Sequence, residues 1–183
     1  MTNSLELAAL VERAKACDHE AWEALYRGAY PRLMAYASRR LDPEPAVDAV
    51  AETMARAVAA IDRFQLERAG FDGWLFGILR HVVLDMHRAA YREKARVRHE
   101  APVAESGPLD ALIDGEEVTA LREAFSTLNR ADQEILELRV VAGLSSDEVA
   151  TAIGKRPGTV RMAQARALDR LEQRLQERLK ERV

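Results

Sequence analysis

Apolar residues recur at intervals of three and four along almost the whole chain, as in Leu7, Leu10, Val11 and Ala14, or Leu33, Tyr36 and Ala37. That is the repeat of an amphipathic helix, and no strand-like alternation persists. The expected fold class is all-α. Pro43 and Pro45 end a helix near Leu41, and residues 46–61 form the next one. A loop over 62–70 leads to a helix from Phe71 through Tyr91 or beyond. The stretch APVAESGPLDALIDGEE then brings Pro102, Gly107, Pro108 and Gly115 among acids and few large apolar groups. Such a segment buries too little to pack firmly. Further helices are expected over 118–126, 131–141, 146–153 and from Pro157 to about Arg178. The pattern thus predicts two small helical domains, 1–94 and 118–183, joined by a flexible acidic linker over 95–117.

Composition changes this picture little until charge is read along the chain. A hydrophobic share of 48% suits a folded domain, and no apolar run approaches the roughly 18 residues that cross a bilayer. The first residues carry acids where a secretory signal would be basic and then apolar, so a cytoplasmic location without membrane insertion is expected. Cys17 has no partner for a disulfide or a Cys-x-x-Cys site, and the four histidines lack ligand spacing, so no metal and no cofactor are expected. The net charge of −3 hides an uneven distribution: residues 1–94 sum to −1, 95–117 to −4 and 118–183 to +2. Two basic stretches stand out, 80–98 with six basic residues against Asp85 and Glu93, and 155–170 with five against Asp169. Phosphate binding needs local rather than global positive charge.

The second basic stretch lies in GLSSDEVATAIGKRPGTVRMAQARAL, residues 143–168. Ser145 and Glu148 form a capping box that opens one helix, Gly154 closes it, and Pro157 starts the next. This is a helix-turn-helix, with Val149, Ile153 and Val160 spaced to meet between its helices. Arg156, Thr159, Arg161, Gln164 and Arg166 are left for other faces, which suits a second helix laid in the major groove. Leu168, Leu171, Leu175 and Leu179 continue as a stripe whose default meaning is packing.

Three earlier segments make a resemblance specific: AWEALYRGAYPRLMAYASRRL, AVDAVAETMARAVAAIDRF and FDGWLFGILRHVVLDMHRAAYR. In this order they resemble region 2 of extracytoplasmic-function sigma factors of bacterial RNA polymerase. The helix-turn-helix, preceded by LREAFSTLNRADQEILELRVV, is similar to their region 4. The resemblance covers nearly the whole chain and implies a sigma factor, not an enzyme. Such a protein binds polymerase core, recognises the minus 35 and minus 10 promoter elements and promotes strand opening.

The resemblance also implies residue roles. Asp48 and Glu52, four apart on one helical face, would dock on the coiled coil of the largest polymerase subunit. Ala51 stands where a glutamine is common, and Met54 and Val58 where aromatics are common. The helix over 74–92 would meet the non-template strand of the downstream element, and the loop over 62–71 would help to form a pocket for a flipped-out base. Flipping costs on the order of a few kcal/mol, which hydrogen bonds to the right base return. Arg63, Arg80, His81, Asp85, Arg88 and Arg92 are the expected contacts there, with His81 where the family often has asparagine. Trp74, in Trp-Leu-Phe at helical spacing, reads as core before it reads as a stacking platform. Upstream contacts would come from Lys155, Arg156, Thr159, Arg161, Gln164 and Arg166, while Met162 and Ala163 stand where relatives usually carry serine and arginine. The acidic linker would thread through polymerase toward the active centre and the RNA exit path. The implied partners are promoter DNA and polymerase core, its largest and second-largest subunits, and an anti-sigma protein is left open as a third.

Two other functions explain less. A stand-alone helix-turn-helix regulator accounts for the last third only, because 144–168 also resembles response-regulator DNA-binding domains. A nucleic-acid enzyme would need paired carboxylates, a nucleophile with its base or a phosphate loop. Gly70, Gly73 and Gly77 have the wrong spacing for such a loop, and Trp74 and Leu75 continue a helix through them. No long further domain follows the helix-turn-helix, so control is expected from outside the chain or from its synthesis.

Overall fold

The computed structural model describes residues 4–65, 70–96 and 116–181, and all regular structure among them is helical. Helices α1 (Ser4–Lys15), α2 (His19–Ala37) and α3 (Pro43–Ala60) lead through a 3-10 turn, Ile61–Arg63, to α4 (Phe71–Arg96). The second group is α5 (Glu116–Ser126), α6 (Arg130–Leu136), α7 (Ser146–Ile153) and α8 (Pro157–Glu181). Residues 97–115, most of the expected linker, and 66–69 of the expected pocket loop lie outside the described residues.

Local chemistry explains most boundaries. Asp18 caps α2 by accepting from the Glu20 and Ala21 amides at 2.9 and 3.2 Å. Asn129 caps α6 through the Asp132 amide at 2.9 Å. The capping box forms as read: Ser145 Oγ accepts from Glu148 N at 3.2 Å, and Glu148 Oε2 accepts from Ser145 N at 2.7 Å. Gly154 closes α7 in the left-handed region at φ 65°, a conformation that costs glycine nothing. Several boundaries differ from the sequence expectation, and α2 ends at Ala37 instead of near Leu41. Pro43 opens α3 instead of only ending what precedes it, because a proline in the first turn forfeits no helical hydrogen bond. The helix expected over 131–141 is α only as far as Leu136 and continues as a π turn over Glu137–Val141.

Packing joins the two groups. One core cluster runs from Leu33 and Tyr36 of α2, through Leu75, Phe76 and Leu79 of α4, to Leu138, Leu144, Val149, Ala152 and Val160. The main core is therefore continuous across α4 and α7. A smaller cluster of Leu128, Leu136 and Ala167, with Phe125 and Leu171 against it, seats α8 on α5 and α6. Trp74 stacks on Phe64 at 4.6 Å and packs against the core, the use its spacing favoured. Of the leucine stripe, Leu171 and Leu175 are half-buried, whereas Leu168 and Leu179 are exposed. Burial pushes the Tyr36 hydroxyl up to about 12, against the opposing pull of Arg40, whose guanidinium lies 3.8 Å over the ring.

Candidate functional site

The expected contact residues fall on three surfaces. Asp48 and Glu52 are both exposed on α3 and line an open groove between α3 and α4 of about 720 Å³. Asp85 and Arg92 line the same groove from the α4 side, with Val82 and Met86 at its floor. Arg56 ties the walls together: its Nε donates to Glu52 at 2.7 Å, and its guanidinium reaches Asp85 at 3.6 Å. These carboxylates raise the Arg56 pKa, first through the Glu52 hydrogen bond. Arg56 was not among the expected contacts, although its position four residues after Glu52 was a readable signal.

The second surface is the exposed face of α4. His81, Asp85, Arg88 and Arg92 follow one another at intervals of four, three and four, so they share that face. Asp85 sits between cations, 3.5 Å from Arg88 and 3.6 Å from Arg56. His81 Nδ1 lies 2.7 Å from the Gly77 carbonyl, which leaves Nε2 toward solvent. Arg63, at the end of the 3-10 turn, is exposed. Arg80 departs from this group. It is half-buried on the neighbouring face of α4, and its Nε donates to Glu134 of α6 at 2.7 Å.

The third surface lies at the start of α8. Lys155, Arg156, Thr159, Arg161 and Arg166 are exposed there, and Val149 and Val160 are buried beneath with Ile153 packed against them. Arg166 Nε donates back to the Met162 carbonyl at 3.3 Å. Gln164 is half-buried and held, accepting from Arg139 Nε at 2.8 Å. Arg139 also donates to the Leu144 carbonyl, so this arginine fixes the turn and the glutamine together. Nothing in the sequence marked Arg139 for this, because its partner lies 25 residues away. Among the described residues, no group of three or more His, Cys, Asp or Glu side chains could hold a metal ion, and no helix is long and apolar enough to cross a membrane.

Comparison with known proteins identifies two regions along the chain. Residues 25–93 match the family model of Sigma-70 region 2, which takes in the first two surfaces, and residues 119–171 match Sigma-70, region 4, which takes in the third. The ECF RNA polymerase sigma factor SigD of Mycobacterium tuberculosis is 35% identical over 174 residues, covering 91% of this chain and 82% of that protein. Among solved structures, CnrH in complex with the cytosolic domain of CnrY has a TM-score of 0.65 at 24% identity, covering 92% of this chain and 96% of that one. The sigma factor RpoE of Bartonella quintana, solved with the anti-sigma factor NepR, has a TM-score of 0.64 at 25% identity, covering 84% and 96%. With two regions in order, a relative this similar and helical folds that superpose, the chain belongs to the ECF sigma factors, non-enzymatic proteins that bind RNA polymerase and direct promoter recognition and transcription initiation.

Proposed function

We propose that the three surfaces divide the work of initiation among named residues. Asp48 and Glu52 dock on the largest polymerase subunit. His81, Asp85, Arg88 and Arg92, with Arg63 nearby, receive the non-template strand of the downstream element. Lys155, Arg156, Thr159, Arg161, Gln164 and Arg166 hold and read the upstream element. The observation that carries this reading is the shared groove: the docking carboxylates on α3 and the strand-facing Asp85 and Arg92 on α4 line one cleft, bridged by Arg56. Polymerase docking and strand capture would then occur on adjoining walls of a single helix pair. The arginines neutralise phosphates, a pocket reading a flipped base returns the cost of unpairing, and opening is thereby coupled to recognition. RpoE of Bartonella quintana was solved with an anti-sigma factor, and a protein of that kind is the corresponding regulator proposed here.

Charge reversal tests the docking assignment. Asp48→Lys with Glu52→Lys removes the acidic pair and places one lysine beside Arg56, a like-charge cost of about 0.5 kcal/mol on an exposed helix. The helical circular dichroism and melting temperature should stay nearly unchanged, while co-purification with polymerase core is lost. Retained binding by the folded double variant would rule out this docking face.

A further inference from the structure

We propose that Arg139, which stands off the recognition helix, is a positioning residue for upstream recognition: it fixes which way the Gln164 amide faces, and so sets the kind of base atom that Gln164 reads. The proposal rests on the assignment of Gln164 to the upstream element. Arg139 lies in the π turn over Glu137–Val141, and the chain then reverses at Gly143, in the left-handed region at φ 66°. That reversal brings Leu144 back within reach of the turn. The Leu144 amide donates to the Leu138 carbonyl at 3.0 Å, and the Leu144 carbonyl accepts from the Arg139 guanidinium. Leu144 is wholly buried, so its carbonyl needs such a donor. Ser145, the cap of α7, follows directly. The same guanidinium reaches across to α8, where its Nε donates to Gln164 Oε1 at 2.8 Å. One side chain thus ties the entry of α7 to a point about two turns into the recognition helix.

The chemistry of the pair decides the direction. A guanidinium has five donors and no acceptor, so the glutamine must face it with oxygen and turn its NH2 group away. Both oxygens that Arg139 holds are neutral, whereas Arg39, Arg40 and Arg80 meet carboxylates. A charged donor makes a hydrogen bond roughly twice as strong as a neutral one, which holds the orientation. Gln164 follows Val160 by four residues and precedes Ala167 by three, and both of those are buried. It therefore stands at the edge of the packed stripe of α8, half-buried, where an untethered glutamine could present either end of its amide. The clamp removes that choice. A side chain that leads with N–H donors suits a base edge rich in acceptors, N7 and O6 of guanine or O4 of thymine, and disfavours the N4 amino group of cytosine. Arg139 exerts this selection without touching a base, from a position 25 residues away in the chain.

The test reads holoenzyme affinity for upstream elements varied one base pair at a time, with calorimetry on each free chain. Gln164→Ala should remove a preference of about two- to tenfold at one base pair, the net contribution of a single hydrogen bond. Arg139→Met should flatten the preference at that same pair, and the double variant should lose no more there than either change alone. Gln164→Glu separates positioning from reading. Its carboxylate keeps an oxygen for Arg139, so the melting temperature should not fall, while an acceptor replaces the outward NH2. The preference should then move to a base pair that presents an amino group at that position, cytosine N4 or adenine N6. Parental preference in a folded Arg139→Met, additive losses in the double variant, or a folded Gln164→Glu that keeps the parental base would each overturn the proposal. A salt slope lower by about one in Arg139→Met, with the preference intact, would make Arg139 a phosphate contact instead and overturn it too. Failure of the underlying assignment has a different signature: Gln164→Ala would leave every base pair unchanged while Arg161→Ala still weakens binding, and the proposal would fall with it.

Discussion

At the scale of single residues, reading and holding are proposed to separate along the recognition helix. Arg161 is exposed near the start of α8, where such helices present side chains to base edges, while Arg166 lies more than a turn further on and is steadied by the Met162 carbonyl. Losing a bidentate arginine–guanine contact costs roughly 1 to 3 kcal/mol and relaxes the choice at one base pair, whereas losing a phosphate contact weakens all sequences alike and lowers the salt slope by about one. Arg161→Ala should therefore weaken upstream binding, and Arg166→Ala should preserve specificity while flattening the salt dependence. Holoenzyme affinity for single-base promoter variants across a salt series measures both, and no change in either variant would refute this orientation of α8. Gln164 is a different case, because its carbonyl oxygen already accepts from Arg139, which leaves its amide and one lone pair to offer a base. His81, with Nδ1 against the Gly77 carbonyl, offers Nε2 to an incoming strand. Replacing His81 with leucine should alter base preference in the downstream element and leave the upstream preference intact. A mismatch bubble at that element should partly restore transcription, since the unpairing is then already done. An unchanged downstream preference would make His81 an ordinary surface residue.

At the scale of elements, the capping box matters twice. It satisfies backbone groups at the start of α7, and its Glu148 is also the residue against which Gly73 packs. Ser145→Ala should cost about 1 kcal/mol, lowering the melting temperature by about 2–4 °C for a chain of this size; calorimetry reads the shift, and none would mean that Glu148 N finds another acceptor. This helix-turn-helix was legible in the sequence because each signal is local: Ser145 and Glu148 are three residues apart, and Gly154 and Pro157 also act within a turn. The π turn over Glu137–Val141 was not legible: no local signal marks it, and Glu137 at its start pairs with Arg39, 98 residues away in the chain. Helical periodicity along α4 showed that Gly73 and Gly77 continue a helix, yet spacing alone carries no information about which backbone would approach them. The assignment of Arg80 to the strand-facing surface met the same limit. Arg80 and His81 are neighbours in sequence but face different ways, and only the position of Glu134 separates their environments.

At the scale of the whole molecule, the net charge of −3 is compatible with DNA binding because the charge is partitioned. The positive end of α8 and the arginine face of α4 are exposed as separate surfaces, while several other arginines, Arg32, Arg39, Arg40 and Arg80, are spent on carboxylates within the fold. Recognition of two promoter elements then asks for two readers held by polymerase at the proper separation, which is why the docking proposed for Asp48 and Glu52 is the step on which the rest depends. The most direct measurement is run-off transcription by polymerase core reconstituted with this chain, using upstream DNA recovered by pull-down of the protein from its own cells. Transcripts should start at fixed positions downstream of a shared pair of elements, disappear when either element is scrambled, and be absent with core alone or with the Asp48→Lys, Glu52→Lys chain. Initiation no more promoter-dependent than with core alone, or full activity from the charge-reversed chain, would contradict the account.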